Sequence, residues 1–245
     1  MPTLLLQCVA PLQAWGTQSN FNVRDTGREP SKSGIIGLLC AAFGRPRTDT
    51  ETIEALAGLQ MGVRVDREGQ ILRDYHTVGQ GAVDAYKGYL GADGETVNKK
   101  TILSNRYYLC DALFLVGLTG DELLLRALHN ALANPRWMLF LGRKSCPPAR
   151  PVYLPDGLLA GSLDSSLKSY PWLGSSMEEY QQLANENKRL RLVVEEENGF
   201  EMRKDIPISF ERDGRHFAYR RCTQKILDEL PPFRPLFTKT QETTA

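Results

Sequence analysis

Apolar and polar positions along this chain alternate in a way that predicts strands and helices in turn. Thr3 to Val9 is a nearly unbroken apolar run, the pattern of a buried strand. A polar, glycine-containing loop follows from Ala10 to Lys32. Ile35, Ile36, Leu38, Leu39, Ala42 and Phe43 then recur at helical spacing, with Ser31 or Ser33 placed to cap the start and Gly44 to end it. Thr48 to Glu51 has capping-box spacing ahead of a second helical stretch through Leu59. Met61, Val63 and Val65 alternate with polar residues, as in a half-buried strand, and Asp66 to Gly69 can turn it back into Ile71 to Val78. Tyr107 to Leu118 predicts one long strand, Asp121 to Leu132 an apolar helix stopped by Asn134-Pro135, and Val152 to Leu154 a returning strand.

The resulting order, β-α-β-β-α-β, is that of a ferredoxin-like α+β domain. That superfold carries many functions and implies none by itself. Gly79 to Asn105 breaks the pattern with five glycines, two tyrosines and three lysines. A stretch so long without periodicity inside a compact domain suggests a projecting arm. Beyond residue 178 the texture changes to short β-like pieces, Arg191 to Glu195, Phe200 to Arg203 and His216 to Tyr219, which suggest a small annex. The expected division is therefore a core of residues 1–78 and 106–177, an inserted arm of 79–105, and a C-terminal β-rich annex and tail of 178–245.

Composition excludes more than it selects. The 245 residues are 42% hydrophobic and carry 30 basic against 29 acidic side chains, the profile of an ordinary globular chain. The longest apolar stretch, Gly34 to Gly44, is too short for a membrane span, which needs about 20 residues. The start, with no basic leader, does not read as a secretory signal. Five cysteines without a CxxC pair indicate neither a disulfide framework nor a zinc knuckle, and a cytoplasmic setting is expected. Charge is unevenly spread. Residues 98–110 and 134–151 hold seven bases and no acid, whereas 178–213 hold ten acids against six bases. Local potential, not the whole-chain sum, is what a polyanion meets, so nucleic acid is a candidate ligand.

Phosphate-loop, dinucleotide, nucleophile-elbow and zinc-protease motifs are all missing, so no cofactor and no metal site is expected. His129 reads as a packing histidine and His216 as a surface one. His76, with Tyr75 beside it, is the one catalytic candidate. It could take a proton from an RNA 2′-hydroxyl, but a neutral strand histidine bonded to backbone fits the position better. Two loops suit phosphate. One, with Arg24, Arg28 and Lys32, leads into a helix N-terminus. The other, Leu141 to Pro148, presents Arg143 and Lys144 with Phe140 and Trp137 adjacent. Arginine forks and aromatic faces are how single-stranded RNA is held, and Arg106-Tyr107-Tyr108 adds a third element of this kind. Trp15 and Trp137 also suit a core.

Several ordered segments carry a family resemblance: Leu12-Gln13-Ala14-Trp15-Gly16, Thr26-Gly27-Arg28 with Ser33-Gly34 and Gly37-Leu38-Leu39, Arg73 to Val78, Tyr108 to Ala112, and Leu141 to Pro147. The chain resembles the CasD family, the fifth Cas family subunit of the type I-E CRISPR surveillance complex Cascade, from the first strand to about residue 155. The resemblance implies a repeat-associated (RAMP) ferredoxin-like domain with a β-hairpin thumb, which matches the arm. It implies a non-catalytic place at the 5′ handle of the CRISPR RNA, capping the filament of CasC backbone subunits and touching the large subunit CasA. Target DNA would be met only through the assembled complex. In a sister subtype a related member is itself a metal-independent endoribonuclease, which is the alternative for His76. Carried over by motif, Arg106 should contact the RNA handle with Phe140, Arg143 and Lys144 beside it, and Arg24, Arg28 and Lys32 in the corresponding loop. Lys144 stands where the family often has arginine, keeping charge without the fork. In the thumb, Tyr86, Lys87, Tyr89, Lys99 and Lys100 would supply the contacts.

Overall fold

The computed structural model describes residues 1–17, 22–78, 89–90, 96–97, 102–211 and 215–235. The chain opens with strand β1 (Thr3–Val9), followed by the short strands β2 (Leu12–Gln13) and β3 (Val23–Arg24). Helices α1 (Lys32–Phe43) and α2 (Thr50–Ala57) precede the strands β4 (Gln60–Arg67) and β5 (Gln70–Val78). The two-residue strands β6 (Tyr89–Leu90) and β7 (Thr96–Val97) pair antiparallel within the arm. Then come β8 (Ile102–Cys110), β9 (Leu113–Thr119), α3 (Glu122–Ala133) and β10 (Tyr153–Leu159). The chain continues through α4 (Leu163–Ser169), α5 (Met177–Asn185), β11 (Arg191–Glu195), β12 (Glu201–Ser209) and β13 (His216–Ile226).

A seven-stranded sheet in the order β10-β1-β9-β4-β11-β13-β12 forms the middle layer, antiparallel at every pairing. Alternation along β1 sends Leu4, Leu6 and Cys8 to one face, against α1, α2 and α3, and Leu5 and Val9 to the other, where α4 lies. Both faces are covered, so β1 is buried throughout, as its apolar run requires.

The same covering corrects the reading of β4 as half-buried. Its polar positions face the second core: Arg64 is fully enclosed, pairs with Asp66 at 2.6 Å, and donates to the carbonyls of Leu167 and Pro171 at 2.6 and 2.8 Å. Asp66 in turn accepts the Leu173 N–H at 2.7 Å. With every partner satisfied, two charged residues serve as the anchor of the segment leaving α4.

The helix caps fall where their side chains dictate. Ser31 caps α1 by accepting from Gly34 N and Asp121 caps α3 by accepting from Leu124 N, whereas α2 is capped by Asp49, which accepts from Thr52 N, and not by the Thr48 of the capping-box spacing. The predicted single strand Tyr107 to Leu118 is two. Asp111 adopts φ +56°, a conformation short polar side chains tolerate, and the chain changes sheets there. β8 thus runs in a second sheet, with β5 along one edge and β2 and β3 sharing the other. Because β8 begins at Ile102, residues 102–105 belong to this ladder and not to the arm. The C-terminal strands do not make a sheet of their own either: β11 hydrogen-bonds to β4 and extends the central sheet.

Candidate nucleic-acid interface

The second sheet gathers the basic candidates. β3 pairs with β8 in parallel, making Arg24 the direct neighbour of Arg106, and Asp74 of β5 stands opposite Arg106 on the other side. Paired residues of adjacent strands share a face, so the two arginines project together. Arg24 is exposed and Arg106 half-buried, its Nε 3.3 Å from Ser104 Oγ.

Three local devices hold the strand and loop carrying Arg24. Gln13 donates its buried amide to the carbonyls of Cys8 and Ala112 at 3.1 and 2.8 Å and accepts from Trp15 Nε1 at 3.1 Å. Trp15 is therefore a core residue. Its backbone exchanges bonds with the loop, donating to Thr26 Oγ1 and accepting from Gly27 N. A β-carbon at Gly34 would stand 2.8 Å from the Trp15 ring, so glycine lets the first turn of α1 lie against it.

The loop 140–148 closes over this sheet. Gly142, at φ +94°, passes so near the second sheet that a β-carbon there would lie 1.7 Å from the Ala14 carbonyl oxygen. That approach puts Arg143 4.8 Å above the Tyr108 ring. Its guanidinium donates to the carbonyls of Tyr107, Arg24 and Asp25 at 3.1, 2.8 and 2.9 Å. The expectation of Arg143 as a phosphate ligand thus changes character: its fork is occupied by backbone, and what it does is fix Arg24 beside β8. Phe140 is half-buried, Lys144 and Arg28 are exposed, and Trp137 is 50% exposed.

Lys32 is corrected outright. It is 2% exposed, its ammonium binds both carboxylate oxygens of Glu195 at 3.0 and 2.9 Å, and its N–H donates to Asp205 Oδ2 at 2.8 Å. Burial lowers its pKa, and the charge and hydrogen bonds of Glu195 oppose that only in part. The helix N-terminus expected to take phosphate is filled by an aspartate of the protein itself.

Sequence reasoning missed this acidic and basic lattice from the C-terminal strands. Asp205 is clasped by Arg220 at 2.6 and 2.9 Å, and Glu29 is paired with Arg191 at 2.7 Å and with Arg203. Burial would raise the Glu29 carboxyl, but the Arg203 charge and the Arg191 hydrogen bond hold it below its ordinary value. The function of residues 191–226 includes securing the loop that follows Arg24.

His76 and Tyr75 are not brought together. Consecutive strand residues point to opposite faces. Tyr75 is 60% exposed on one side, while His76 Nδ1 is 3.5 Å from Asp74 Oδ2 on the other. The histidine's neighbour is thus a carboxylate and not the expected backbone group. Among the described residues no group of His, Cys, Asp and Glu could hold a metal ion. No helix among them is long and apolar enough to cross a membrane. All five cysteines are free. His129 packs as expected, its Nε2 3.0 Å from the Leu154 carbonyl. The thumb candidates Tyr86, Lys87, Lys99 and Lys100 lie outside the described residues, as does the side chain of Tyr89.

Comparison with known proteins adds independent findings. A family described as CRISPR-associated protein (Cas_Cas5) matches residues 3–223. The CRISPR system Cascade subunit CasD of Escherichia coli (strain K12) is 39% identical over 163 residues, covering 62% of this chain and 69% of that protein. A solved structure described as a Cas protein superposes with a TM-score of 0.72 at 40% identity, over 95% of this chain and 99% of its own. A chain of a CRISPR RNA-guided surveillance complex gives 0.71 at 31% identity, over 91% and 89%.

Proposed function

This chain belongs to the Cas5 family of CRISPR-associated proteins, and from that premise we propose that it is a non-catalytic RNA-binding scaffold subunit of a type I-E surveillance complex, holding the 5′ handle of the CRISPR RNA. The observation that carries the reading is the ladder pairing of Arg24 with Arg106 under the loop of Arg143. Two cationic forks aimed from one sheet face meet successive phosphates of a single strand. Likeness to a Cascade subunit and to a chain of an RNA-guided complex supports it.

The strand order β10-β1-β9-β4 with α1 and α3 on one face supports a ferredoxin-like RAMP core. On this reading the arm is the thumb, and the C-terminal strands brace the core. CasC and CasA are the protein neighbours, target DNA is met through the assembled complex, and the setting is the cytoplasm. No chemistry is assigned to His76.

The test is binding of the full chain to single-stranded RNA of its host's CRISPR repeat across a salt series. Arg106→Ala should flatten the log–log salt slope by about 0.7, the share of one phosphate contact. Lys32→Ala, if folded, should leave the slope unchanged. Equal slopes for wild type and Arg106→Ala would sink the assignment, as would cleavage of the repeat RNA by the wild-type chain in EDTA.

A further inference from the structure

Arg47 and Arg215 were not singled out by any sequence pattern, and the fold brings them to the same place. Arg47 lies in the connection between α1 and α2, where its neighbour Arg45 is already paired with Asp49 at 3.6 Å. Arg215 immediately precedes β13. Both α1 and α2 pack against β12, and Phe210, which follows that strand, packs on the core beneath them, so the end of β12 and the start of β13, ladder partners at Ser209 and His216, lie on the side of these helices. Glu29, through Arg203 of β12, ties the loop that starts at Arg24 to the same region.

The result is electrostatically unfavourable for the protein alone. Arg215 is partly desolvated, and the charges of Arg47 and Arg24 press on it from nearby, lowering its pKa in that order of cause. None of these three side chains makes an ion pair among the described residues. By contrast, Arg64, Arg191, Arg203 and Arg220 of the same molecule are each met by a carboxylate. Three arginines of like charge thus stand near one another here, and Arg24 adjoins Arg106 through the β3–β8 ladder. A ligand with repeated negative charge relieves that repulsion, whereas a single acidic side chain answers only one of the three.

We propose that Arg24, Arg47 and Arg215 form a second phosphate seat, continuous with Arg106, along which the RNA backbone passes from the second sheet towards the α1–α2 connection. The proposal rests on the RNA-binding reading above and extends it to two elements, the α1–α2 connection and the start of β13.

The experiment compares wild type, Arg106→Ala, the double variant Arg47→Ala/Arg215→Ala and the double lysine variant at those positions. All are full chains, titrated with single-stranded RNA of the host repeat at several salt concentrations. The double alanine variant should bind more weakly at low salt and flatten the log–log slope by about 1.4, two contacts at about 0.7 each. The unfolding temperature of the free protein should stay level or rise, because repulsion has been relieved. The double lysine variant should recover most of the slope. An unchanged slope in the double alanine variant, with Arg106→Ala still impaired, overturns this seat and leaves the site reading standing. A lowered unfolding temperature that lysine does not repair also overturns it, by making the arginines structural. If Arg106→Ala binds as wild type too, it is the RNA-binding reading that has failed.

Discussion

Lys32 and Glu195 are 163 residues apart in sequence and joined by two hydrogen bonds of 3.0 and 2.9 Å, one to each carboxylate oxygen. The pair fastens the first turn of α1 to β11. Arg220 stands 3.8 Å from the same carboxylate. Removing one member of a buried pair strands the other, at a typical cost of about 3–5 kcal/mol. Because Arg220 remains for Glu195, Lys32→Ala should fall at the lower end of that range. Urea denaturation of the free chain measures it, and a loss under about 1 kcal/mol would show that the pair contributes little.

Acid should loosen the same region. Burial alone would raise the Asp205 carboxyl, but the hydrogen bonds and charge of Arg220 outweigh it and hold the group below 3.8. Glu29 is likewise held below 4.5. A carboxyl with a depressed folded pKa contributes stability that is present above its unfolded value and lost as pH falls through the folded one. Stability should therefore hold down to roughly pH 4.5 and decline below it. Asp205→Asn should be less stable at pH 7 and show a flatter acid limb. Urea midpoints taken across this pH range check both, and parallel limbs for the two proteins would contradict the assignment.

Much of this architecture was legible because its signals are local. Ser31, Asp49 and Asp121 announce three helices within three residues of each start, and the apolar run of β1 needs no distant partner to be recognised. Helix α5 carried a comparable signal, Ser176 followed by Glu179, but its mostly polar residues bury none of its length. What stayed hidden is long-range. Nothing near Lys32 says that Glu195 and Asp205 will cover it, so a lysine before a helix read as a phosphate ligand. Arg143 was found for its charge, yet its role depends on three carbonyls from two other segments. Ten acids in residues 178–213 gave no sign of their partners, and two of them, Glu195 and Asp205, hold Lys32 at the end of the basic loop.

Arg143 can be tested for the positioning role separately from charge. Arg143→Lys keeps the charge but cannot reach three carbonyls with a planar fork. Both Arg143→Lys and Arg143→Ala should weaken repeat-RNA binding and lower the unfolding temperature, while Arg106→Ala lowers binding alone. A lysine variant with wild-type affinity and stability would return Arg143 to the class of simple phosphate contacts.

Glycines separate into those the fold needs and one it does not. Gly62 and Gly117 are ladder partners, and β-carbons there would lie 2.7 Å from Leu167 and Leu163 of α4. Gly117→Ala forces those side chains to shift and should cost about 1–3 kcal/mol. A β-carbon at Gly37 in α1 meets nothing within 4 Å. Gly37→Ala should stabilise the free chain by about 0.5–1 kcal/mol through helix propensity. Thermal unfolding of the two variants should move in opposite directions, and shifts of the same sign would contradict this account of α4 packing.

The arm starts and ends on one ladder. It leaves the second sheet after Val78 and rejoins it at Ile102, a pair of ladder partners, so a short glycine-serine turn can bridge the two strands. Replacing residues 82–98 should accordingly leave the unfolding temperature of the body within a few degrees of wild type. A two-stranded ribbon is marginal on its own and gains its order from what it touches. If the arm is the thumb that reaches over guide RNA onto the neighbouring backbone subunit, assembly should suffer where folding does not. Co-expression with the other subunits and a CRISPR array, followed by size-exclusion chromatography, reads this directly. Loss of the shortened chain from the RNA-containing complex is the expected result, and wild-type occupancy with wild-type target binding would make the arm a passive insertion.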